Sequence, residues 1–143
     1  MSLFNTMEIS AMALTAQRRR LEIIMSNMAN INTTRTPEGG PYRRRDVVFA
    51  SRDMGFAELM GNPLGAGARG VEVSEIVADP APPLLKFDPN HPDADPSGYV
   101  QLPNINAVEE TVNLISAARS FQASVTAINA AKEMLQRSLD ILR

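Results

Sequence analysis

The chain has 143 residues, a formal net charge of −2 and no cysteine. This length suits one domain with a modest core. The weak acidity argues against a protein devoted to nucleic acid or to an anionic membrane, and the missing cysteines exclude disulfides, thiolate metal sites and thiol catalysis.

The first segment predicts a long amphipathic helix, because apolar residues recur at alternating spacings of three and four in a narrow, coiled-coil-like stripe. The apolar members of the stripe are Leu3, Met7, Leu14, Leu21, Ile24, Met28 and Ile31. Asn5 followed by Glu8 has the spacing of a capping box, so we expect the helix to begin near Asn5. Glu8 also interrupts the apolar stretch, and the arginines at 18–20 follow it, so we expect neither a cleaved signal peptide nor a membrane span.

The middle of the chain contains its helix-breaking residues. All ten prolines lie between Pro37 and Pro103, and all eight glycines between Gly39 and Gly98. Residues 70–77 alternate apolar and polar side chains, which predicts a half-exposed strand, and residues 99–102 are its expected partner. The fold class is therefore expected to be mainly α, with a small β-rich insertion between long terminal helices.

The last segment predicts the second helix from a similar stripe. Its apolar members are Leu114, Ala118, Phe121, Val125, Ile128, Leu135, Leu139 and Leu142. Asn106 with Glu109 offers a cap spacing, and acidic residues in the first turn complement the helix dipole. We expect residues 1–34 and 104–143 to form the helical core domain and residues 35–103 to form the insertion.

The two apolar stripes need partners. Helices of about 40 and 55 Å are longer than the small middle segment can cover. An intramolecular hairpin would cover one stripe, whereas packing between molecules would cover both. The sequence therefore favours a polymerising structural subunit, with a coiled-coil adaptor or an export-chaperone-like binding module as the alternative.

Three motifs could suggest chemistry, but each lacks the context that it requires. Residues 65–70 match G-x-G-x-x-G without the preceding strand and following helix of a dinucleotide site. Residues 93–98 resemble the start of a calcium loop, but its twelfth position is Asn104 instead of a bidentate Glu. His91 is the only histidine and has no further zinc ligands. We therefore expect no catalytic residue, no cofactor and no metal, and an enzyme is the least favoured hypothesis.

Two runs of three arginines, at 18–20 and 43–45, have two possible interpretations. Such runs are usually solvated faces of a protein. They could also contact an acidic surface, such as the middle segment of a neighbouring copy.

Residues 27–33 read Asn-Met-Ala-Asn-Ile-Asn-Thr, which is similar to the segment that ends the N-terminal helix in flagellar rod and hook axial proteins. The rest of the chain resembles, more narrowly, the proximal-rod members of this family. The matching segments are 35–44, 77–83, 87–95, 103–106 and 109–123. The resemblance therefore extends over nearly the whole chain.

The resemblance implies a subunit of the periplasmic rod of the flagellar basal body, which transmits torque and is exported by the flagellar type III apparatus. The implied partners are copies of the chain, other rod proteins and the junction of the inner-membrane ring with the export gate, and no nucleic acid or small molecule. The two stripes would be assembly seams. Asn27, Asn30 and Asn32 are expected to cap the helix and form a turn, or to make hydrogen bonds between subunits.

Overall fold

Two long helices flank four strands. The computed structural model describes residues 3–53 and 69–141. Helix α1 spans Leu3–Ala29 and helix α2 spans Ala107–Ile141. The strands are β1 (Arg45–Asp53), β2 (Arg69–Ala78), β3 (Leu84–Phe87) and β4 (Tyr99–Leu102). The predicted terminal helices and the small β-rich middle are thus confirmed.

The two predicted helix starts have different outcomes. Asn106 caps α2, since its Oδ1 accepts hydrogen bonds from the backbone N–H groups of Val108 and Glu109, at 3.0 and 3.4 Å. That prediction is confirmed. Helix α1, by contrast, already includes Leu3. Asn5 therefore lies inside the first turn, and the prediction that it caps α1 is wrong.

The helices pack against each other as an antiparallel pair, with the end of α1 beside the start of α2. Because α1 has 27 residues and α2 has 35, the last turns of α2 extend past the beginning of α1. Leu139 shows this overhang, since it lies on the α1-facing side of α2 and is nevertheless 66% exposed. Within the described residues, no helix is long and apolar enough to cross a membrane.

Strands β1 and β2 form an antiparallel ribbon on a second side of α1. The ribbon lies directly against the helix, because a Cβ added to Gly70 would meet the sulfur of Met12. Ser74 is the additional residue at a bulge in β2. The expected pairing of β2 with residues 99–102 is wrong. The four-residue β4 is too short to pair with all the backbone N–H and C=O groups of the ten-residue β2. The longer β1 pairs with β2 instead.

Strands β3 and β4 form a separate antiparallel hairpin. Phe87 and Tyr99 pack edge to face at its loop end, with ring centroids 5.3 Å apart. Gly98 enters β4 with a φ of 82°, a conformation that glycine adopts without strain. The hairpin loop is attached to the segment after α1 by a 2.7 Å hydrogen bond from the Thr34 hydroxyl to the Asp93 carboxylate.

Candidate assembly surfaces and a buried polar joint

The predicted stripe of α1 is largely covered within the described residues. Ile24 is buried. The other described members are half-buried: Met7, Leu14, Leu21, Met28 and Ile31. The side chain of Leu3 lies outside the described residues. The opposite side of α1, with Met12 and Ala16, faces the ribbon, so α1 is covered on two sides.

The predicted stripe of α2 divides between covered and exposed positions. Leu114, Phe121, Val125, Ile128 and Leu135 are half-buried. Ala118 is exposed, as is Leu139 in the overhang, and Leu142 lies outside the described residues. The most buried apolar positions of α2 are two alanines outside the predicted stripe: Ala117, with no exposed surface, and Ala131. These alanines allow the two backbones to come close together.

The side of α2 that faces away from α1 carries an apolar patch. Val108, Val112 and Ile115 are 73%, 61% and 50% exposed, and their spacing puts them on one side of the helix. We call these three residues the outer patch. Among the described elements, α1 is the only one against which α2 packs. No part of the chain that the structure describes therefore covers the outer patch.

The structure also contains a fully buried carboxylate. Glu110, in the first turn of α2, has no exposed surface. Its Oε1 accepts a 2.8 Å hydrogen bond from Nε of Arg44, and its Oε2 accepts one of 3.1 Å from Nδ2 of Asn27. Burial acts to lower the pKa of Arg44, but the hydrogen bond and charge of Glu110 outweigh it, so this pKa is raised. Arg44 therefore keeps its positive charge beside Glu110.

Asn27 connects α1 to the start of β1. It is 1% exposed, its Nδ2 donates to the carbonyl of Arg45 at 2.8 Å, and its Oδ1 accepts from the Arg45 N–H at 3.0 Å. The Tyr42 hydroxyl also donates to this Oδ1, at 3.1 Å, while the Arg45 guanidinium lies over the Tyr42 ring. We call Asn27, Tyr42, Arg44, Arg45 and Glu110 the polar joint.

The other two asparagines lie at the turn after α1. Nδ2 of Asn30 donates to the Ser26 carbonyl at 2.8 Å and so satisfies a group at the helix end. Asn32 is exposed. No non-glycine residue in the described parts of the chain has a positive φ, so none of these asparagines adopts a left-handed conformation.

The residues of the discounted motifs have structural roles. Asp95 accepts backbone hydrogen bonds from Ser97 and Tyr99, and His91 accepts one from the backbone of Asp93. The described residues include no group of three or more His, Asp or Glu placed to hold a metal. Gly70 of the glycine motif belongs to β2, and residues 65–68 lie outside the described residues.

Comparison with known proteins identifies the family. Residues 7–35 match the model for flagella basal body rod proteins, and residues 97–141 match the C-terminal model for flagellar basal body rod FlgEFG proteins. The flagellar basal-body rod protein FlgC of Borreliella burgdorferi is 43% identical, over 100% of this chain and 99% of the relative. The chain belongs to the FlgC family of flagellar basal-body rod proteins. FlgC of Bacillus subtilis is 42% identical over 99% of both chains, and FlgC of an Escherichia coli O6:H1 strain is 40% identical over 99% and 98%.

Membership of the FlgC family makes the chain a structural subunit of the flagellar basal-body rod and not an enzyme. The resemblance found in the sequence is thereby confirmed. The two segments that match the family models include α1 from residue 7 onward and the whole of α2. Each contributes one buried polar residue to the joint: Asn27 from the first and Glu110 from the second.

Sequence reasoning singled out Asn27 but missed the other four members of the joint: Tyr42, Arg44, Arg45 and Glu110. Arg44 looked like part of a solvated basic run, and Glu110 like one of two acids that complement a helix dipole. The ion pair joins residues separated by 66 positions, and no local pattern connects them. Arg18 and Arg19 of the first basic run do remain on the surface, where both pair with Glu22.

Proposed function

We propose that this FlgC-family subunit polymerises helically through α1 and α2 to build the proximal rod, the drive shaft of the flagellum. The observation that carries the proposal is the outer patch, since α2 has one described neighbour and presents three apolar side chains on its opposite side. A monomer gains nothing from exposing such a patch, whereas a subunit packed between neighbours buries it.

The outer patch is large enough to matter energetically. Complete burial of a Val or Ile side chain contributes about 1.5–3 kcal/mol. Val108, Val112 and Ile115 are half to three-quarters exposed, so covering all three contributes on the order of 4 kcal/mol per subunit. The same contact is repeated at every subunit of a helical assembly, and this repetition stabilises a filament.

The predicted seam residues belong to this proposal in two ways. Those half-buried between α1 and α2 hold the helix pair together, and neighbouring pairs then pack in a coiled-coil-like bundle. Ala118 and Leu139, which are exposed, are available to neighbouring helices directly. Torque passes through such packed helices without any chemical step.

The partners in this proposal are copies of the chain, other rod proteins and the junction of the inner-membrane ring with the export gate. The subunit reaches the periplasmic rod through the flagellar type III export apparatus. Family membership supports these assignments, because the relatives are named as basal-body rod proteins.

The test introduces one charge into the outer patch. Val112→Glu should abolish assembly of the purified full chain, measured by sedimentation velocity, and should abolish motility in a complementation assay. Because Val112 is exposed, the circular dichroism of the monomer should not change. Thr126→Glu is the matched control, since Thr126 is exposed on the same side of α2 but outside the patch.

Normal assembly and motility of Val112→Glu would refute the role of the outer patch. A stable one-to-one complex with a single different partner, without any larger assembly, would instead favour the adaptor or export-chaperone alternative.

A further inference from the structure

The polar joint connects three parts of the chain that are far apart in sequence. Asn27 is at the end of α1, Glu110 is in the first turn of α2, and Arg44 with Arg45 leads into the ribbon. Asn27 and Glu110 are 83 positions apart and share a hydrogen bond. The joint is complete only when both helices and the start of β1 are in place together.

The chemistry of Glu110 makes partial formation of the joint unfavourable. A buried carboxylate needs a counter-charge and hydrogen bonds, because an uncompensated buried charge is strongly destabilising. Arg44 supplies the charge and one hydrogen bond, and Asn27 supplies the other. If Arg44 is withdrawn, Glu110 must leave the interior, and the first turn of α2 then separates from the end of α1.

Asn27 performs the complementary task for the ribbon. Its amide group bonds to both the carbonyl and the N–H of Arg45, as a neighbouring strand would. This contact fixes the first residue of β1 against α1. The orientation of the ribbon therefore depends on a residue whose other hydrogen bond goes to α2.

We propose that the polar joint is an interlock: the start of β1 is held at a fixed orientation to the helices only while α1 and α2 are paired at Glu110, whereas the rest of the ribbon also packs on α1. Pairing of the terminal helices and fixing of the ribbon then form one cooperative step. Arg44 and Glu110 are positioning residues in this device. The inference concerns the single subunit and holds whether or not the outer patch mediates assembly.

The test measures the orientation of the ribbon in the full chain. Since the chain has no cysteine, spin labels can be attached specifically through Ser74→Cys on β2 and Gln122→Cys on α2, both of which are exposed positions. Electron–electron resonance gives the distance distribution between them. The variants are Arg44→Ala and Glu110→Gln, and the matched controls are their exposed neighbours, Arg43→Ala and Glu109→Gln.

The interlock predicts one narrow distribution of label-to-label distances for the unmodified joint and for both controls. It predicts a broad distribution of these distances for Arg44→Ala and Glu110→Gln. Hydrogen exchange of residues 45–50 should rise by more than about tenfold in both variants, because a buried pair has lost a partner. The decisive arm is Glu110→Gln, in which a change on α2 loosens a strand that α2 does not touch.

Three results would overturn the inference. One is a broad distribution with the joint intact, and another is a narrow distribution in Arg44→Ala and Glu110→Gln. The third is an equal rise in exchange throughout helices and ribbon with no change in distance, which would mean that the joint only adds stability. If Arg44→Ala does not fold, Arg44→Lys replaces it in the test, because lysine keeps the positive charge but lacks the Nε donor. The interlock predicts that its distance distribution has an intermediate width.

Discussion

Two adjacent alanines of α2 provide a sharp test of how the helices pack. Ala117 has no exposed surface, whereas Ala118 is exposed. The substitution to Leu is the same at both sites and changes helix propensity little. At Ala117 the larger side chain has to enter a packed contact, and such overpacking typically costs about 1–3 kcal/mol. At Ala118 it projects into solvent, and the expected change is within about 0.5 kcal/mol.

These free energies correspond to measurable melting temperatures. In a domain of this size, 1 kcal/mol shifts Tm by roughly 3–6 °C. Ala117→Leu should therefore lower Tm by roughly 3–18 °C, and Ala118→Leu should shift it by less than about 3 °C. The assay is thermal unfolding followed by circular dichroism at 222 nm, with sedimentation velocity to establish that the sample is monomeric. If Ala118→Leu were the more destabilising variant, α2 would pack in the register predicted from sequence.

Three further predictions address the ends and surfaces of the elements. Asn106→Ala should lower the free energy of unfolding, measured by urea titration, by about 1 kcal/mol through loss of the cap. The control Asn104→Ala should lower it by less than about 0.5 kcal/mol. Equal losses in the two variants would contradict the role of Asn106 as a cap. Gly98→Ala should cost roughly 1–3 kcal/mol by the same measurement, because its φ is 82° and a Cβ would lie 2.9 Å from the ring that ends β3. The hydrogen bond from Arg19, more than other causes, lowers the pKa of Glu22 below its ordinary value of 4.5. This stabilisation is present at neutral pH and is lost as the pH falls below 4.5 through the lowered pKa. Glu22→Gln should therefore lower Tm more at pH 7 than at about pH 3, and an equal loss at both would contradict the assignment.

The helices could be predicted from sequence because their signals are local and repeated. Helix-breaking residues are absent from both ends of the chain, and the apolar stripes extend over many turns. The side of α2 that packs most closely was harder to predict. Leu114, Phe121 and Ile128 were predicted to contact another helix. The other positions of the stripe were assigned by hydrophobicity alone. The predicted stripe included Ala118, which is exposed, and left out its neighbour Ala117, which is fully buried.

The arrangement of the middle segment was only partly predictable. Strand β2 alternates cleanly and was found, but β1 contains a continuous run from Val47 to Ala50 between charged residues and does not alternate. The polar joint has no sequence signature at all. A buried Glu110 differs from the exposed Glu109 beside it only through the surroundings that the folded chain provides.

The antiparallel helix pair has a topological consequence. Because α1 and α2 run in opposite directions, Leu3 and Ile141 lie toward one end of the pair, and the whole segment from residue 30 to residue 106 is inserted at the other. The family models match residues 7–35 and 97–141, which include most of α1 and all of α2. Asn27, Arg44 and Glu110 meet at the end of the pair where the inserted segment leaves and returns, so the buried ion pair closes the inserted segment at its base.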